Sequence, residues 1–421
     1  LFNNLEKDYL KNRFNEFHVR TPESFNYFIA NSIRVRNDQG IIGIIIPSSF
    51  LNQFEFWKTR KMIVENLKFS KICNLGDGVF KKVSAPSCVL IFGKDISSTS
   101  YLDLRTSDRA LLSQLINNEI NSKISSNIGL DSDDFILQPR NNIEIIKKCN
   151  RWPTLKSIAE DVATGISSGL DQAYVYKAEQ IKELQLEQEL LKKLVIGGEV
   201  GRYWIKPESG KRIIYITSEN NITDYPNIHS ALLPHREKLK KRREAANGSI
   251  SWYALNWPRR QKLFEKPKIL IRQTADHIMS IIDTGGWYCL KSVIIVQLNE
   301  SEKMSYEYLL ALLNSKLFKY LYYDLVGEQS RIFPEVKPVQ LFKLPIRILD
   351  FDSIKDKELH NEIKILVDQI IRLNISVTVS KTPTERTAIE RQIQATDNQI
   401  DQLVYQLYGL TPEEIKIVES K

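Results

Sequence analysis

The run Thr164–Gly169 (Thr-Gly-Ile-Ser-Ser-Gly) has the composition of a glycine-rich loop that could hold a phosphate group. A nucleotide-binding loop of that kind follows a buried strand and ends in Lys followed by Ser or Thr, and we find neither feature in the pattern. The histidines show no spacing typical of a metal site or a catalytic triad; they are His18, His229, His235, His277 and His360. We therefore interpret the loop as a structural turn and predict no metal site.

Positive charge is concentrated in one segment. The chain carries a formal charge of +8, whereas Arg236–Arg272 alone holds twelve Lys and Arg against three Glu, a net charge of +9. Such a segment attracts a polyanion, although an isolated basic run is more often a solvated helix surface. Three aromatic residues, Trp252, Tyr253 and Trp257, lie within the run and favour nucleic acid as the ligand. From the charge alone, both interpretations stay open.

The first 95 residues alternate helical and strand patterns. The run Ile41–Ile46 is apolar and β-branched without alternation, which predicts a strand buried on both faces, as in a parallel sheet. A helix over residues 55–67 and strands over 69–75 and 87–92 follow. These strands are too few for a doubly wound sheet with both faces covered. We therefore expect the remaining strands to come from upstream sequence or from another chain.

Downstream, the patterns change three times. Residues 96–150 are polar and indicate a connector with short helices, and a second globular region opens at Trp152. Strands are predicted at 212–216, 268–271, 279–282 and 293–297, and helices at 181–194 and 306–323. From Asp356 two apolar stripes predict a packed helical hairpin, with an oligomerising coiled coil as the less favoured alternative.

Composition narrows the cellular setting. The four cysteines form no C-x-x-C pair, so we expect reduced thiols in a cytoplasmic protein. No apolar run is long enough to cross a bilayer, and no secretion signal opens the chain. The chain starts at Leu1 in place of Met, which we interpret as a fragment or a processed product.

Several blocks, in their order, resemble the gamma-type N6-adenine DNA methyltransferases of the TaqI-like and Eco57I-like group. The most specific local match is Leu75–Ala85 (Leu-Gly-Asp-Gly-Val-Phe-Lys-Lys-Val-Ser-Ala). The other blocks are residues 23–28, 40–50, 195–204, 266–269, 312–315, 342–346 and 400–410.

The resemblance implies an α/β fold in four parts. Residues 1–95 would be the C-terminal half of a partial Rossmann-like methyltransferase sheet, and 96–150 a connector. Residues 151–347 would be a mixed α/β target-recognition domain, and 348–421 a C-terminal helical region that includes the hairpin. The chain would be the DNA-recognition portion of a restriction-modification methyltransferase that uses S-adenosyl-L-methionine and binds double-stranded DNA.

The resemblance also implies residue roles. Phe80 stands where the family stacks an aromatic ring on a target adenine flipped out of the duplex, and Lys81 and Lys82 match cations that face the DNA. Phe28 would line the cofactor pocket, although plain core packing explains it equally well. The catalytic N/D/S-P-P-Y/F/W tetrapeptide and the F-x-G-x-G-type cofactor loop are absent from the sequence. The chain alone is therefore predicted to be inactive without an upstream methyltransferase half, in cis or in trans.

The predicted DNA contacts lie mainly in the basic segment. Most would touch phosphates, which position a protein without reading sequence; they are Arg202, Trp204, Lys238, Lys240, Lys241, Arg242, Arg243, Arg259 and Arg260. Arg272, Gln273 and Thr274, at a strand end, are candidates for reading base edges, with a satisfied hairpin turn as the alternative. Two other interpretations remain for the whole chain: a non-catalytic specificity subunit, and part of a fused type IIG restriction–methylation enzyme.

Overall fold

The computed structural model describes residues 2–51, 53–80, 85–96, 99–104, 140–206, 210–326 and 335–420. The chain divides into two units. The first comprises Leu1–Lys147 with Val326–Ser330, and the second comprises Lys148–Leu325 with Arg331–Lys421.

The first unit contains one four-stranded sheet flanked by helices. Asn3 caps the first helix through the backbone N–H of Glu6, and the Glu6 carboxylate accepts from the Asn3 N–H in return, a reciprocal capping box. In chain order the elements are α1 (Asn4–Arg13), α2 (Ser24–Val35), β1 (Ile42–Pro47), α3 (Trp57–Asn66), β2 (Lys68–Gly76), β3 (Ser87–Gly93), β4 (Ser100–Asp103) and α4 (Arg140–Asn150).

The strand order of this sheet is β1-β3-β2-β4. Strand β3 runs antiparallel to both of its neighbours, so Leu90 is paired with Ile44 on one side and Ile72 on the other. Strand β4 lies parallel to β2. Phe69 and Phe92 are fully buried with Leu90 and Ile72, and this apolar cluster holds the sheet to α2 and α3. The predicted α/β class is confirmed, but the polar connector contributes a strand that its composition did not predict.

Strand β1 differs from our expectation of burial on both faces. Its only strand partner among the described residues is β3, and burial alternates along it. Ile42 and Ile46 are buried, whereas Ile45 is 47% exposed. An edge strand with one face open therefore carries a sequence typical of a central strand.

The second unit is built on two four-stranded sheets, with strand orders β12-β11-β14-β5 and β13-β7-β10-β6, and a two-stranded ribbon, β8-β9. Its strands are β5 (Ala159–Thr164), β6 (Val175–Tyr176), β7 (Leu191–Val195), β8 (Val200–Gly201), β9 (Trp204–Ile205), β10 (Arg212–Ile214), β11 (Lys268–Arg272), β12 (Ser280–Asp283), β13 (Tyr288–Cys289) and β14 (Val293–Leu298). Its helices up to residue 341 are α5 (Leu155–Ile158), α6 (Asp171–Tyr174), α7 (Ala178–Glu183), α8 (Pro226–Leu232), α9 (Arg236–Lys240), α10 (Arg243–Ala246), α11 (Lys262–Glu265), α12 (Tyr306–Asn314), α13 (Lys316–Val326) and α14 (Pro338–Leu341).

The predicted helix over residues 181–194 was wrong from residue 184 onward. The helix ends at Glu183, and Leu191–Val195 forms β7, paired with β10 and β13. Its apolar residues fit either period over so short a run, and pairing with two distant strands selects the extended conformation.

The chain ends in a helical hairpin, α15 (Ile354–Val379) and α16 (Pro383–Tyr408), followed by α17 (Pro412–Glu419). The two long helices pack against each other, as the two apolar stripes predicted, and Gly409 in the left-handed conformation ends α16. Between residues 371 and 395 no side chain is buried, so the far end of the hairpin is solvated. Among the described residues no helix is both long and apolar enough to cross a membrane.

Candidate nucleic-acid interface

Two exposed aromatic rings stand out on the first unit. Phe28 lies on α2, where its neighbours Phe25 and Tyr27 are buried, yet Phe28 itself is 66% exposed. Core packing therefore does not explain Phe28. Phe80 is 47% exposed in the segment after β2. Lys81 and Lys82, predicted to face DNA, lie outside the described residues.

The first unit also has an open cleft of about 350 Å³, whose lining includes His18, Arg20, Trp57 and Lys58. The hydroxyl of Tyr27 lies 2.8 Å from Nδ1 of His18, which fixes one wall. Burial, and secondarily the charge of Lys11, lower the pKa of His18. Of these residues the sequence analysis named only His18, and gave it no site, because the polar and aromatic residues of the cleft are spread over two separate segments.

The basic segment of the second unit separates into structural and solvent-facing cations. Lys268 is buried, with Nζ 2.5 Å from Oδ2 of Asp283. Lys266 pairs with Glu160 and Glu300. By contrast, Lys238, Lys240, Lys241 and Arg243 are exposed on and beside α9 and α10. Of these four, only Lys240 forms an ion pair among the described residues, with its Nζ 3.9 Å from Oε1 of Glu237. This cluster of four, called the α9 cations below, is the strongest candidate surface for a polyanion.

Arg242, between the exposed cations, has a different environment. Its guanidinium donates hydrogen bonds to four backbone carbonyls: those of Leu239, Ser168, Trp252 and Ala254, at 2.8–2.9 Å. The hydroxyl of Tyr174 donates to the Ala254 carbonyl as well. We therefore assign Arg242 to holding three chain segments together, a role that its neighbours do not share.

The loop after β5 is one of the segments that Arg242 holds. Gly165 lies so close to strand β13 that a Cβ at this position would be 2.3 Å from the Cys289 carbonyl oxygen, which explains why the residue is glycine. Strand β5 precedes the loop, but Val162 is the one buried residue of its six, so it is not the buried strand that a nucleotide-binding loop follows. The backbone N–H of Gly165 donates to Val293 O and that of Ile166 to Cys289 O. The structural interpretation of this loop is thus supported.

Ser167 in the same loop pairs with Trp257 in an isolated antiparallel bridge. Each residue donates its backbone N–H to the carbonyl of the other, at 3.1 and 2.8 Å. The Trp257 ring is 56% exposed. Two residues further on, Arg259 has a φ of 63°, and its guanidinium donates to Thr164 Oγ1 at 2.9 Å. Arg260 is exposed and has no side-chain partner among the described residues.

The predicted base-reading residues follow β11. Gln273 and Thr274 lie in the connection between the antiparallel strands β11 and β12, and the Gln273 backbone bonds to Ser292 and Val336, so the hairpin-turn alternative stays open beside base reading. Nε of Arg272 donates to the Thr274 carbonyl at 2.7 Å. Within the described chain the side chains of Gln273 and Thr274 make no hydrogen bond, and Thr274 is exposed. Both remain candidates for polar contacts.

The ribbon residues Arg202 and Trp204 have structural partners. Nη2 of Arg202 donates to the Asn314 carbonyl (2.8 Å) and to Oδ1 of Asp397 on α16 (2.7 Å). Burial lowers the pKa of Arg202, but Tyr203 and Asp397 raise it by more. Trp204 is half-buried against the apolar core of the unit. We therefore interpret Arg202 as joining the ribbon to the C-terminal hairpin and Trp204 as packing against the core of the unit, while the DNA contacts predicted for both stay predictions.

Asp401, one helical turn after Asp397, belongs to the same polar cluster. Its Oδ1 accepts from the Lys316 N–H at 2.9 Å, and Oδ2 lies 3.4 Å from Lys316 Nζ. Burial raises the pKa of Asp401 from 3.8 to about 6, against the opposing effect of the Lys316 contacts. A folded-state pKa above the unfolded one means that stability falls as pH rises from about 4 to about 6.

Asp401→Asn should therefore gain stability relative to the wild type as the solution becomes less acidic. Between pH 5 and pH 7.5 we expect the difference in free energy of unfolding to move in favour of Asn by about 1 kcal/mol. Urea denaturation at both pH values measures it, with the exposed Asp352→Asn as control. If the difference in free energy of unfolding moved in favour of the wild type, or moved as much for Asp352→Asn, the raised pKa of Asp401 would be contradicted.

Comparison with known proteins identifies two segments of the chain. Residues 193–346 match the TaqI-like C-terminal specificity domain, and residues 2–80 match the Eco57I restriction-modification methylase family. The resemblance drawn from the sequence blocks is therefore confirmed.

Two relatives illustrate the similarity. The Escherichia coli type II restriction enzyme and methyltransferase RM.Eco57I is 24% identical over 99% of this chain and 45% of its own length. The type II methyltransferase M.BstVI of Geobacillus stearothermophilus is 24% identical over 62% of this chain and 50% of its own. The chain thus spans about half the length of these relatives.

A solved structure of the type IIL restriction-modification enzyme MmeI in complex with DNA shares the fold. Its TM-score is 0.62 at 10% identity, covering 93% of this chain and 50% of that one.

Proposed function

We propose that this chain is the DNA-recognising portion of a site-specific adenine-N6 DNA methyltransferase. The premise is that residues 2–80 match the Eco57I restriction-modification methylases and residues 193–346 match the TaqI-like specificity domain. The observation that carries the proposal is the order of the two segments on one chain, methylase first and specificity domain second. The exposed α9 cations within the specificity domain supply a surface that fits the phosphates of double-stranded DNA.

Phe80 is proposed to stack on the target adenine. An enzyme that methylates an exocyclic amine must take the base out of the duplex, and an aromatic face then replaces the lost stacking. Its exposure leaves the Phe80 ring free to do so. Lys81 and Lys82, next in sequence, would contact the DNA backbone.

S-adenosyl-L-methionine is the methyl donor that this assignment implies, and it supplies the reactive methyl group when bound. Phe28 fits one side of such a site, because it offers an exposed aromatic face that could stack on the adenine ring of the cofactor. We expect an upstream methyltransferase half to bind the amino-acid end of the cofactor and to provide the catalytic tetrapeptide. The chain alone should then be inactive as a methyltransferase.

The open edge of β1 supports the need for that half. Ile41, just before β1, and Ile45, within it, are exposed on the face that β1 leaves open, and a further strand on the free edge together with a helix over that face would cover them. We expect the half to be supplied in cis or in trans, and a cytoplasmic location stays a prediction. The name of the Escherichia coli relative, restriction enzyme and methyltransferase, favours as second candidate a fused enzyme that also cleaves DNA. A non-catalytic specificity subunit is the remaining alternative.

The experiment that tests DNA recognition is duplex binding across a salt series. Replacing the four α9 cations with alanine should reduce the magnitude of the slope of log affinity against log salt by about 3.6, since each neutralised phosphate contributes about 0.9. The matched control removes four exposed cations of α15: Lys355, Lys357, Lys364 and Arg372. Equal effects of the two variants, or no binding by the folded wild-type chain, would contradict the proposal.

A further inference from the structure

The three aromatic residues of the basic segment have different environments. Trp252 packs edge-on against Tyr253 and lies under the guanidinium of Arg236, 5.4 Å from its ring centroid. Tyr253 donates its hydroxyl hydrogen to the Asn220 carbonyl at 2.7 Å. Of the three, Trp252 and Tyr253 are half-buried and Trp257 is exposed. Contacts within the fold therefore explain the first two rings, whereas the third faces solvent.

Trp257 is exposed but its backbone is fixed. Its N–H and C=O both bond to Ser167, in a loop that Arg242 binds through the Ser168 carbonyl. With the side-chain amide of Asn256 oriented so that its oxygen accepts, Nε1 of Trp257 donates to that oxygen at 3.0 Å. The indole is therefore presented from a rigid base, which lowers the entropy lost when it contacts a ligand.

The residues after Trp257 continue this arrangement. Arg259 adopts a left-handed φ that residues other than glycine rarely take, and its carbonyl accepts from the Tyr215 hydroxyl at 2.6 Å. Such conformations persist where the surroundings fix them, and they are enriched at functional sites. The turn places the exposed Arg260 three residues after the exposed ring.

We propose that Trp257 stacks on a nucleobase of the bound DNA, with Arg260 on an adjoining phosphate. Tryptophan is enriched at interfaces, and a ligand that offers both negative charge and flat π faces to this ring and its neighbouring cations is nucleic acid. Because both faces of a base in a duplex are already stacked, the contact requires the DNA to unstack at that base. The inference rests on the proposed function and adds a contact that composition alone did not distinguish from Trp252 and Tyr253.

The test compares Trp257→Ala, Trp257→Phe and Arg260→Ala in duplex binding across the salt series. Loss of one stacked base lowers affinity about 5- to 150-fold, so Trp257→Ala should weaken binding within that range at every salt concentration and leave the slope unchanged. Trp257→Phe should retain most of the affinity. Arg260→Ala should reduce the slope by about 0.9. Leu184→Ala, at an exposed apolar residue outside the basic segment in the sequence, is the control and should bind as the wild type.

A second readout identifies the stacking itself. Duplexes carrying 2-aminopurine at successive positions should show a change from the quenched fluorescence of the free duplex at one or two of them with the wild type, and no such change there with Trp257→Ala. Trp257→Ala that binds within twofold of the wild type overturns the stacking contact, and is also the outcome expected if the ring serves a protein partner. The proposed function survives that result as long as the α9 variant loses its salt slope. If the wild-type chain binds no DNA, both proposals fail.

Discussion

Lys268→Ala is expected to lower the free energy of unfolding of the second unit by about 3–5 kcal/mol, the usual effect of breaking a buried ion pair from one side. The side chains of Lys268 and Asp283 are 0% and 3% exposed. Lys268 also donates to the Phe264 carbonyl, and the Asp283 carboxylate accepts from the backbone N–H groups of Gly285 and Trp287. Truncating the lysine leaves a buried carboxylate without its cation.

Urea denaturation followed by circular dichroism measures this loss. Lys266→Ala is the matched control two residues away, because it removes two ion pairs that lie at the surface, and screened pairs of that kind contribute little. The loss for Lys268→Ala should be several times that of the control. Equal and small losses would contradict the unpaired buried carboxylate as the cause of a large loss.

Arg242→Ala is expected to cost about 3 kcal/mol and to reduce DNA binding as a consequence. Four carbonyls lose a charged donor, and each such bond contributes roughly 1.5–3 kcal/mol, although bonds from one group do not add. Arg242→Lys should recover only part of the loss, because an ammonium cannot reproduce the planar set of donors. Urea denaturation gives the stability, and duplex binding below the unfolding transition gives the second effect.

Arg243→Ala is the control that separates the two roles of adjacent arginines. Arg243 is exposed, so its removal should leave stability unchanged within about 0.5 kcal/mol and reduce the salt slope by about 0.9. Arg242→Ala should show the reverse pattern, a large loss of stability with an unchanged salt slope. If Arg242→Ala instead changed only the salt slope, the phosphate contact predicted from the sequence would be right and the structural role assigned to it wrong.

These two arginines show how far the sequence alone could go. Counting charges located the basic segment, but it could not separate Arg242 from Arg243. The carbonyls that bind Arg242 include that of Ser168, more than seventy residues away in the sequence. Only the folded chain brings Ser168 and Arg242 together. Lys268 was counted as a basic residue for the same reason, since its partner Asp283 faces it only because β11 and β12 pair.

The elements divide in a similar way. The long C-terminal helices were predictable because their apolar stripes extend over several turns. Short apolar runs were not, because Leu191–Val195 and β1 take their structure from the strands beside them. Strand β4 is four residues long and pairs in parallel with β2, so nothing in its local sequence marked it. The family resemblance supplied the roles of Phe28 and Phe80, which no periodicity would have indicated.

The open strand β1 has a consequence for the behaviour of the chain during synthesis and purification. Its sequence, Ile-Gly-Ile-Ile-Ile-Pro, is uncharged, and among the described residues its outer edge has no partner. Apolar edges of this kind template pairing between molecules, and of the usual safeguards these six residues have a proline at the end, Pro47, but no lysine and no bulge. Whatever covers β1 would therefore act as a chaperone for this half as well as its structural complement, suppressing aggregation before any DNA is bound.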